Sequence, residues 1–264
     1  MRLKEKVAIV VGGGQIPGGT IGNGRATAIL FGREGAKVMV VDRNLNSAQD
    51  TVSMIVEEGG IAKAVAADVT DEASLQKMIA HCVTEWGRID ILHNNVGFSL
   101  GAGDAVIEEI TSEAFDRIMQ LNLRGMVMTC KHVLPIMRKQ RSGVIISISS
   151  HAVLVSYPYV AYKASKAGVI AMTEQLADMN AEYGIRANAI LPGLMNTPMA
   201  IESRIKKGKS REEVIAERDA QVPLGKMGTA WDVAYAALFL ASDEAKFISG
   251  VSLLVDGGAS VRRG

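Results

Sequence analysis

The stretch VAIVVGGGQIPGGTIGNGRATAILFGREGAKVMVVD, residues 7–42, decides the fold. Residues 7–11 read as a short buried strand, a run of glycines ends it, and the pattern turns helical near residue 23. KVMVVD at 37–42 then reads as a second strand closed by an acid. In such a strand, glycine turn, helix, strand unit, backbone N–H groups approach a pyrophosphate and the helix N-terminus adds positive potential. Gly12, Gly22, Asn23 and Gly24 are the residues expected at that turn. Asp42, 20 residues after Gly22, is placed to accept both hydroxyls of an adenosine ribose. A carboxylate there repels a 2′-phosphate, so NAD(H) is favoured over NADP(H), with Arg43 the basic neighbour that works against this preference.

Working outward, short β-branched runs recur at 62–68, 89–94, 144–149, 185–191 and 251–256, which with the first two makes seven expected strands. The segments between them carry helical spacing, as in Leu75, Met78, Ile79 and Cys82, or Val169, Met172, Leu176 and Met179. Alternating strands and crossover helices predict an α/β architecture: a doubly wound parallel sheet, covered on both faces because its strands are almost continuously apolar. No proline- or serine-rich linker divides the chain, so residues 1–264 read as a single NAD-binding catalytic domain. Residues 196–228 fit the alternation poorly, with a partial helix at about 211–220, and read as a lid.

Composition narrows the partners. With 29 basic and 28 acidic residues and no long single-sign run, nothing points to nucleic acid or an anionic membrane surface, and a small molecule is the expected partner. No run reaches the roughly 18 apolar residues that span a bilayer, and the N-terminus lacks a signal-peptide pattern, which implies a cytoplasmic protein. Cys82 and Cys130 stand alone, and His81, His93, His132 and His151 are scattered, so no metal site is expected. The basic run RIKKGK at 204–209 reads as a solvated face.

The chemistry centres on YKASK, residues 162–166. Tyr162 and Lys166 are four apart and share a helical face. A free phenol has a pKa of about 10, and bringing it to about 7 takes roughly 4 kcal/mol of phenolate stabilisation. A lysine cation and an oxidised nicotinamide in a partly dry cleft can supply it. By itself the pair is a weak motif. The strand ending in ISISS delivers Ser149 or Ser150 to the same place, and Asn122 in LNLRG adds a fourth polar group.

Taken together, IGNGRATA at 21–28, DVT at 68–70, NNVG at 94–97, NLRG at 122–125, the ISS strand end, Tyr162 with Lys166, PGLMNT at 192–197 and VDGG at 255–258 resemble the short-chain dehydrogenase/reductase superfamily in its common one-domain form. The resemblance runs from about residue 5 to 258. It implies a catalytic tetrad of Asn122, Ser150 (with Ser149 the alternative), Tyr162 and Lys166. Tyr162 would exchange the proton, the serine position the substrate oxygen, Lys166 hold the nicotinamide ribose and depress the tyrosine pKa, and Asn122 support a water in the relay. Asp68 and Val69 would flank the adenine, Asn94 and Gly97 the adenosine ribose, and Pro192, Gly193, Met195 and Thr197 the nicotinamide end. The chain departs from the family in having Val11-Gly12 at the first turn, followed by about six additional residues, and NNVG in place of NNAG. Gly12 is favoured as the first-turn glycine.

His151, Tyr157, Tyr159 and Met199 are expected to line the substrate pocket, and the resemblance implies a homotetramer through helices at about 112–138 and 160–183. The expected activity is NAD(H)-dependent interconversion of a secondary alcohol and a ketone. A 3-oxoacyl-carrier-protein reductase and a non-catalytic NAD-binding sensor on the same fold are the rival readings.

Overall fold

The computed structural model describes residues 1–205 and 210–262. The basic run at 204–209 therefore lies mostly outside the described residues. Seven strands form: β1 (Val7–Val11), β2 (Lys37–Asp42), β3 (Ile61–Ala66), β4 (Ile91–Asn94), β5 (Gly143–Ile148), β6 (Ile185–Pro192) and β7 (Ser252–Val255). All pair in parallel, in the order β3-β2-β1-β4-β5-β6-β7. Helices α1 (Asn23–Arg33), α2 (Leu45–Glu57), α3 (Glu72–Trp86), α4 (Ser112–Met119), α5 (Gly125–Gln140), α6 (Val160–Asn180), α7 (Pro198–Ile205), α8 (Arg211–Asp219) and α9 (Ala230–Ala241) follow in chain order.

The continuous apolar strands have a direct cause. Along β1, Ala8 and Val10 pack into one core with α1, α2 and α9, while Val7, Ile9 and Val11 pack into a second with α3 and α5. Every β1 side chain is buried on one face or the other, so alternation with polar residues is impossible. Each fully buried aliphatic side chain contributes about 1.5–3 kcal/mol. Exposure returns only at the edges, as at Ile61 of β3 and Leu254 of β7.

Two elements differ from expectation. The long helix expected from 112 onward is interrupted by a π-helical turn at Gln120–Arg124 between α4 and α5. The stretch 196–228 holds α7 as well as the anticipated α8, and closes with a parallel bridge between Met195 and Gly228. After β3 the chain crosses to the other side of β1 to form β4. That reversal opens a crevice at the carboxyl ends of β1 and β4, where ligands of such sheets bind.

Candidate active site

At the cofactor end, Gly12 adopts φ +80°, a left-handed conformation that side chains resist. Its N–H and that of Gly13 both donate to the Val41 carbonyl, at 2.8 and 2.9 Å. The helix then returns so closely that a Cβ on Gly24 would stand 1.9 Å from the Gly12 oxygen. Gly12 thus makes the first turn. The additional residues after it form a tied loop: Ser47 Oγ accepts the Gln15 N–H and donates to the Gln15 carbonyl, both at 2.8 Å, and Gln15 Oε1 accepts the Gly22 N–H at 2.9 Å. Gly22 caps α1 with no side chain, which leaves α1 N–H groups facing the crevice.

Asp42 ends β2 with Oδ1 accepting the Asn44 N–H at 3.0 Å and Oδ2 2.8 Å from where a Gly14 Cβ would be. Asp68 accepts the Thr70 N–H and hydroxyl at 2.8 and 2.7 Å. Burial alone would raise the Asp68 pKa, but those bonds and the charge of Arg43 hold it below the usual range. Val69 is buried against Gly125. Asn94 is buried at the end of β4, and its Oδ1, like those of Asn23 and Asn196, has no hydrogen-bond partner. Three orphaned buried acceptors and an uncapped helix are a polar cradle that a dinucleotide fits. Pro192 ends β6, Gly193 packs directly on Asp256, and buried Thr197 accepts the Ala200 and Ile201 N–H groups at the start of α7.

At the catalytic end the two serines are sorted by the pleat. Ser149 turns inward and donates to the Lys166 carbonyl at 2.7 Å. Ser150 Oγ accepts the Ala152 N–H at 3.1 Å and lies near enough to the Tyr162 phenol to act against the rise of its pKa. Lys166 is buried, donates from Nζ to the Ile148 carbonyl at 2.8 Å, and stands 5.8 Å from the centre of the Tyr162 ring. Two of its three ammonium hydrogens remain available. A Cβ on Gly97 would lie 2.8 Å from Lys166 Nζ, so Gly97 belongs beside the lysine.

Burial pushes the Tyr162 phenol up to about 12 and Lys166 down to about 7. The direction at Tyr162 opposes the lowering expected from Lys166, because desolvation of the phenolate outweighs the influence of the Ser150 hydroxyl. The Asn122 side chain is fully engaged by its neighbours. Its Oδ1 accepts the Phe98 N–H and its Nδ2 donates to the Phe98 carbonyl, both at 2.8 Å, and to Ser165 Oγ at 3.1 Å. The amide is spent on the loop after β4, so any part of Asn122 in a proton relay falls to its main chain, inside the π-turn.

Tyr157 stands 5.6 Å from Tyr162 and 5.4 Å from Tyr159, centre to centre, with its hydroxyl 3.4 Å from Ser99 Oγ. His151 begins a short 3-10 turn directly after Ser150. Met195 is buried against Gly228, whereas Met199 is 45% exposed on α7 and is not drawn into the cluster.

One residue escaped the sequence reading altogether. Asp104, 6% exposed, accepts the Ala161 and Tyr162 N–H groups at 3.3 and 3.0 Å, and the Ser99 hydroxyl at 3.0 Å. It caps α6, whose own N-cap residue Tyr159 supplies no side-chain bond. Nothing local announces a cap supplied from 57 residues away.

A family model described as enoyl-(acyl carrier protein) reductase matches residues 19–260. The chain belongs to the short-chain dehydrogenase/reductase superfamily. A short-chain dehydrogenase/reductase is an oxidoreductase that acts on CH–OH groups with a nicotinamide cofactor, and this chain is one. Among similar proteins, the 3-oxoacyl-[acyl-carrier-protein] reductase FabG of Thermotoga maritima is 36% identical over 98% of this chain and 99% of its own length. The 2,5-dichloro-2,5-cyclohexadiene-1,4-diol dehydrogenase LinX of Sphingobium indicum is 37% identical over 98% of each chain. A crystal structure of a Burkholderia xenovorans protein assigned to the short-chain dehydrogenases/reductases superposes with a TM-score of 0.94 at 40% identity, covering 100% of this chain and 99% of that one. Among the described residues of this short-chain dehydrogenase/reductase, no helix is long and apolar enough to cross a membrane, and no cluster of three or more His, Cys, Asp or Glu is arranged around a metal.

Proposed function

We propose that the enzyme interconverts a secondary alcohol and a ketone with NAD(H), using Tyr162 as general acid and base. The observation that carries this reading is the meeting of three groups at the crevice: the Tyr162 phenol, the Ser150 hydroxyl that acts on its pKa, and Lys166 Nζ 5.8 Å from the ring centre. The bound nicotinamide supplies the acceptor or donor for the hydride on the carbinol carbon. Ser150 holds the substrate oxygen beside the phenol. Tyr162 gives its proton to that oxygen in reduction and takes it in oxidation. With its pKa pushed up to about 12, the phenol is held as a ready proton donor. Lys166, anchored on Ile148, offers its remaining hydrogens to the nicotinamide ribose. Asp42 at the end of β2 supports NAD(H) over NADP(H), and residues 196–228 serve as the lid of one catalytic domain.

Tyr162→Phe keeps the ring and removes the proton. Turnover of secondary alcohols should fall by about 10²- to 10⁴-fold or more, with NADH affinity within about twofold of the parent; retained turnover refutes the assignment. The Thermotoga relative favours a second reading, a 3-oxoacyl-carrier-protein reductase. Reduction of an acetoacetyl thioester in preference to free ketones would select it.

We also propose a cytoplasmic homotetramer. Phe115, Val127 and Met179, on α4, α5 and α6, are partly or largely exposed apolar side chains on the helices expected to pair. Sedimentation equilibrium at the mass of four chains is the expected result.

A further inference from the structure

The lid carries a buried cation that forms no salt bridge among the described residues. Arg218, on α8, is 8% exposed. Its Nε donates to Met227 Sδ at 3.2 Å, a weak acceptor, and its four terminal N–H groups have no partner among the described residues. The charge of the adjacent Asp219 acts on Arg218, but its Oδ1 is engaged by the Met227 N–H at 2.8 Å. A buried, unpaired charge costs several kcal/mol, and at a comparable arginine the fold avoids that cost. Arg25, equally buried, bonds Thr51 Oγ1, the Ser47 carbonyl and Ser47 Oγ, with Asp50 at 3.8 Å. Arg218 has no such set.

Its charge reaches residues that adjoin Ser150 and Tyr162. The charge of Arg218 acts on Tyr157 and on His151, the residue after Ser150. Arg204, on α7, adds a second cation that acts on the same Tyr157 and on Arg218, and it donates to the Ala200 carbonyl at 2.6 Å. Tyr157 in turn stands 5.6 Å from Tyr162. The charges of both arginines thus act on Tyr157, the ring next to the reacting phenol. A planar guanidinium with open donors matches a carboxylate or another oxo-anion in bidentate geometry.

Resting on the alcohol/ketone reading above, we propose that the substrate is a short-chain hydroxy acid or related oxo-anion, whose negative group pairs with Arg218 while its carbinol reaches Tyr162. The lid then closes on the anion: α8 cannot seat Arg218 at low cost until the ligand neutralises it. Arg218 is a specificity-determining residue for the acid end of the substrate.

The test compares 3-hydroxybutyrate, 4-hydroxypentanoate and 5-hydroxyhexanoate with their methyl esters, in the parent and in Arg218→Met, a change that keeps an apolar stem beside Met227. The parent should oxidise at least one acid with kcat/KM roughly 10- to 100-fold above its ester, and Arg218→Met should abolish that preference through a loss of kcat/KM for the acid. Separately, 4-oxopentanoate and its methyl ester, which cannot react with oxidised cofactor, are titrated calorimetrically into the NAD-loaded parent. The acid should bind and the ester should bind at least tenfold more weakly. Equal binding, no binding of the acid, or an acid preference that survives Arg218→Met overturns the inference and leaves the alcohol/ketone reading in place if the esters are oxidised. Acid-selective binding with no oxidation of any compound sinks that reading and leaves the anion site standing. The wild-type comparison stands even if Arg218→Met does not fold.

Discussion

Asp104 accepts the main-chain N–H of Tyr162 at 3.0 Å from a loop 58 residues earlier in the chain. A carboxylate at a helix N-terminus satisfies donors that the helix cannot and complements its dipole. Here it also sets where the first turn of α6, and so the phenol, sits relative to Ser150. Asp104→Ala leaves the Ala161 and Tyr162 N–H groups and the Ser99 hydroxyl without this acceptor, and should lower stability by about 1–3 kcal/mol. Asp104→Asn keeps an acceptor but removes the charge. Because that charge is one of the causes raising the Tyr162 pKa, the acidic limb of the pH profile for alcohol oxidation, where the phenolate base is lost, should move to lower pH. An unmoved limb with reduced kcat would mean that Asp104 acts through packing alone.

The two serines should separate cleanly. Ser150→Ala removes the hydroxyl that acts on Tyr162 and should cut kcat by about tenfold to a thousandfold, with a melting temperature close to that of the parent. Ser149→Ala leaves the Lys166 carbonyl without its 2.7 Å donor and should cost about 1 kcal/mol of stability, with the smaller loss of kcat. Measuring both quantities for both variants decides the matter. The reverse pattern would return the catalytic role to Ser149.

Cofactor choice should depend on Asp42. A 2′-phosphate brought to the end of β2 meets its carboxylate, whereas the charge of Arg43 is drawn toward Asp68. The parent should therefore show kcat/KM for NAD(H) about 100-fold above NADP(H), since like charges a few ångströms apart in a partly dry site cost several kcal/mol. Asp42→Ala should shrink that ratio to about tenfold or less. A parent that prefers NADP(H) contradicts the reading of the carboxylate.

His93 supplies a stability prediction independent of activity. It is fully buried in β4, both ring nitrogens lack hydrogen-bond partners, and burial lowers its pKa from 6.5 to about 3. In that window the unfolded chain binds more protons than the folded one. The His93 contribution is complete above pH 6.5 and is lost as pH falls toward 3, at up to about 1.4 kcal/mol per pH unit. Urea unfolding of His93→Leu at pH 7.5 and 5 should show a flatter dependence than the parent. Parallel losses in the two proteins would assign the acid sensitivity elsewhere.

The sequence by itself determined the sheet, the glycine turn and the pairing of Tyr162 with Lys166, and the physical reasons are local. A strand buried on both faces must be apolar throughout, as β1 is, and a backbone that comes within 1.9 Å of where a side chain would begin must carry glycine, as at Gly24. Residues four apart on a helix share a face whatever surrounds them. Tertiary structure decided the rest, because each remaining feature depends on groups far apart in the chain. Only the packing of β5 beside β6 and α6 shows that Ser149 turns to the Lys166 carbonyl and Ser150 to the phenol. The capping of α6 by Asp104 and the commitment of the Asn122 amide to Phe98 are likewise contacts across loops. Arg218 reads in sequence as one more polar residue of an exposed helix. Its burial with no salt bridge among the described residues is a property of the folded lid, and the raised Tyr162 pKa has the same origin, since desolvation exists only once the chain has closed around the group.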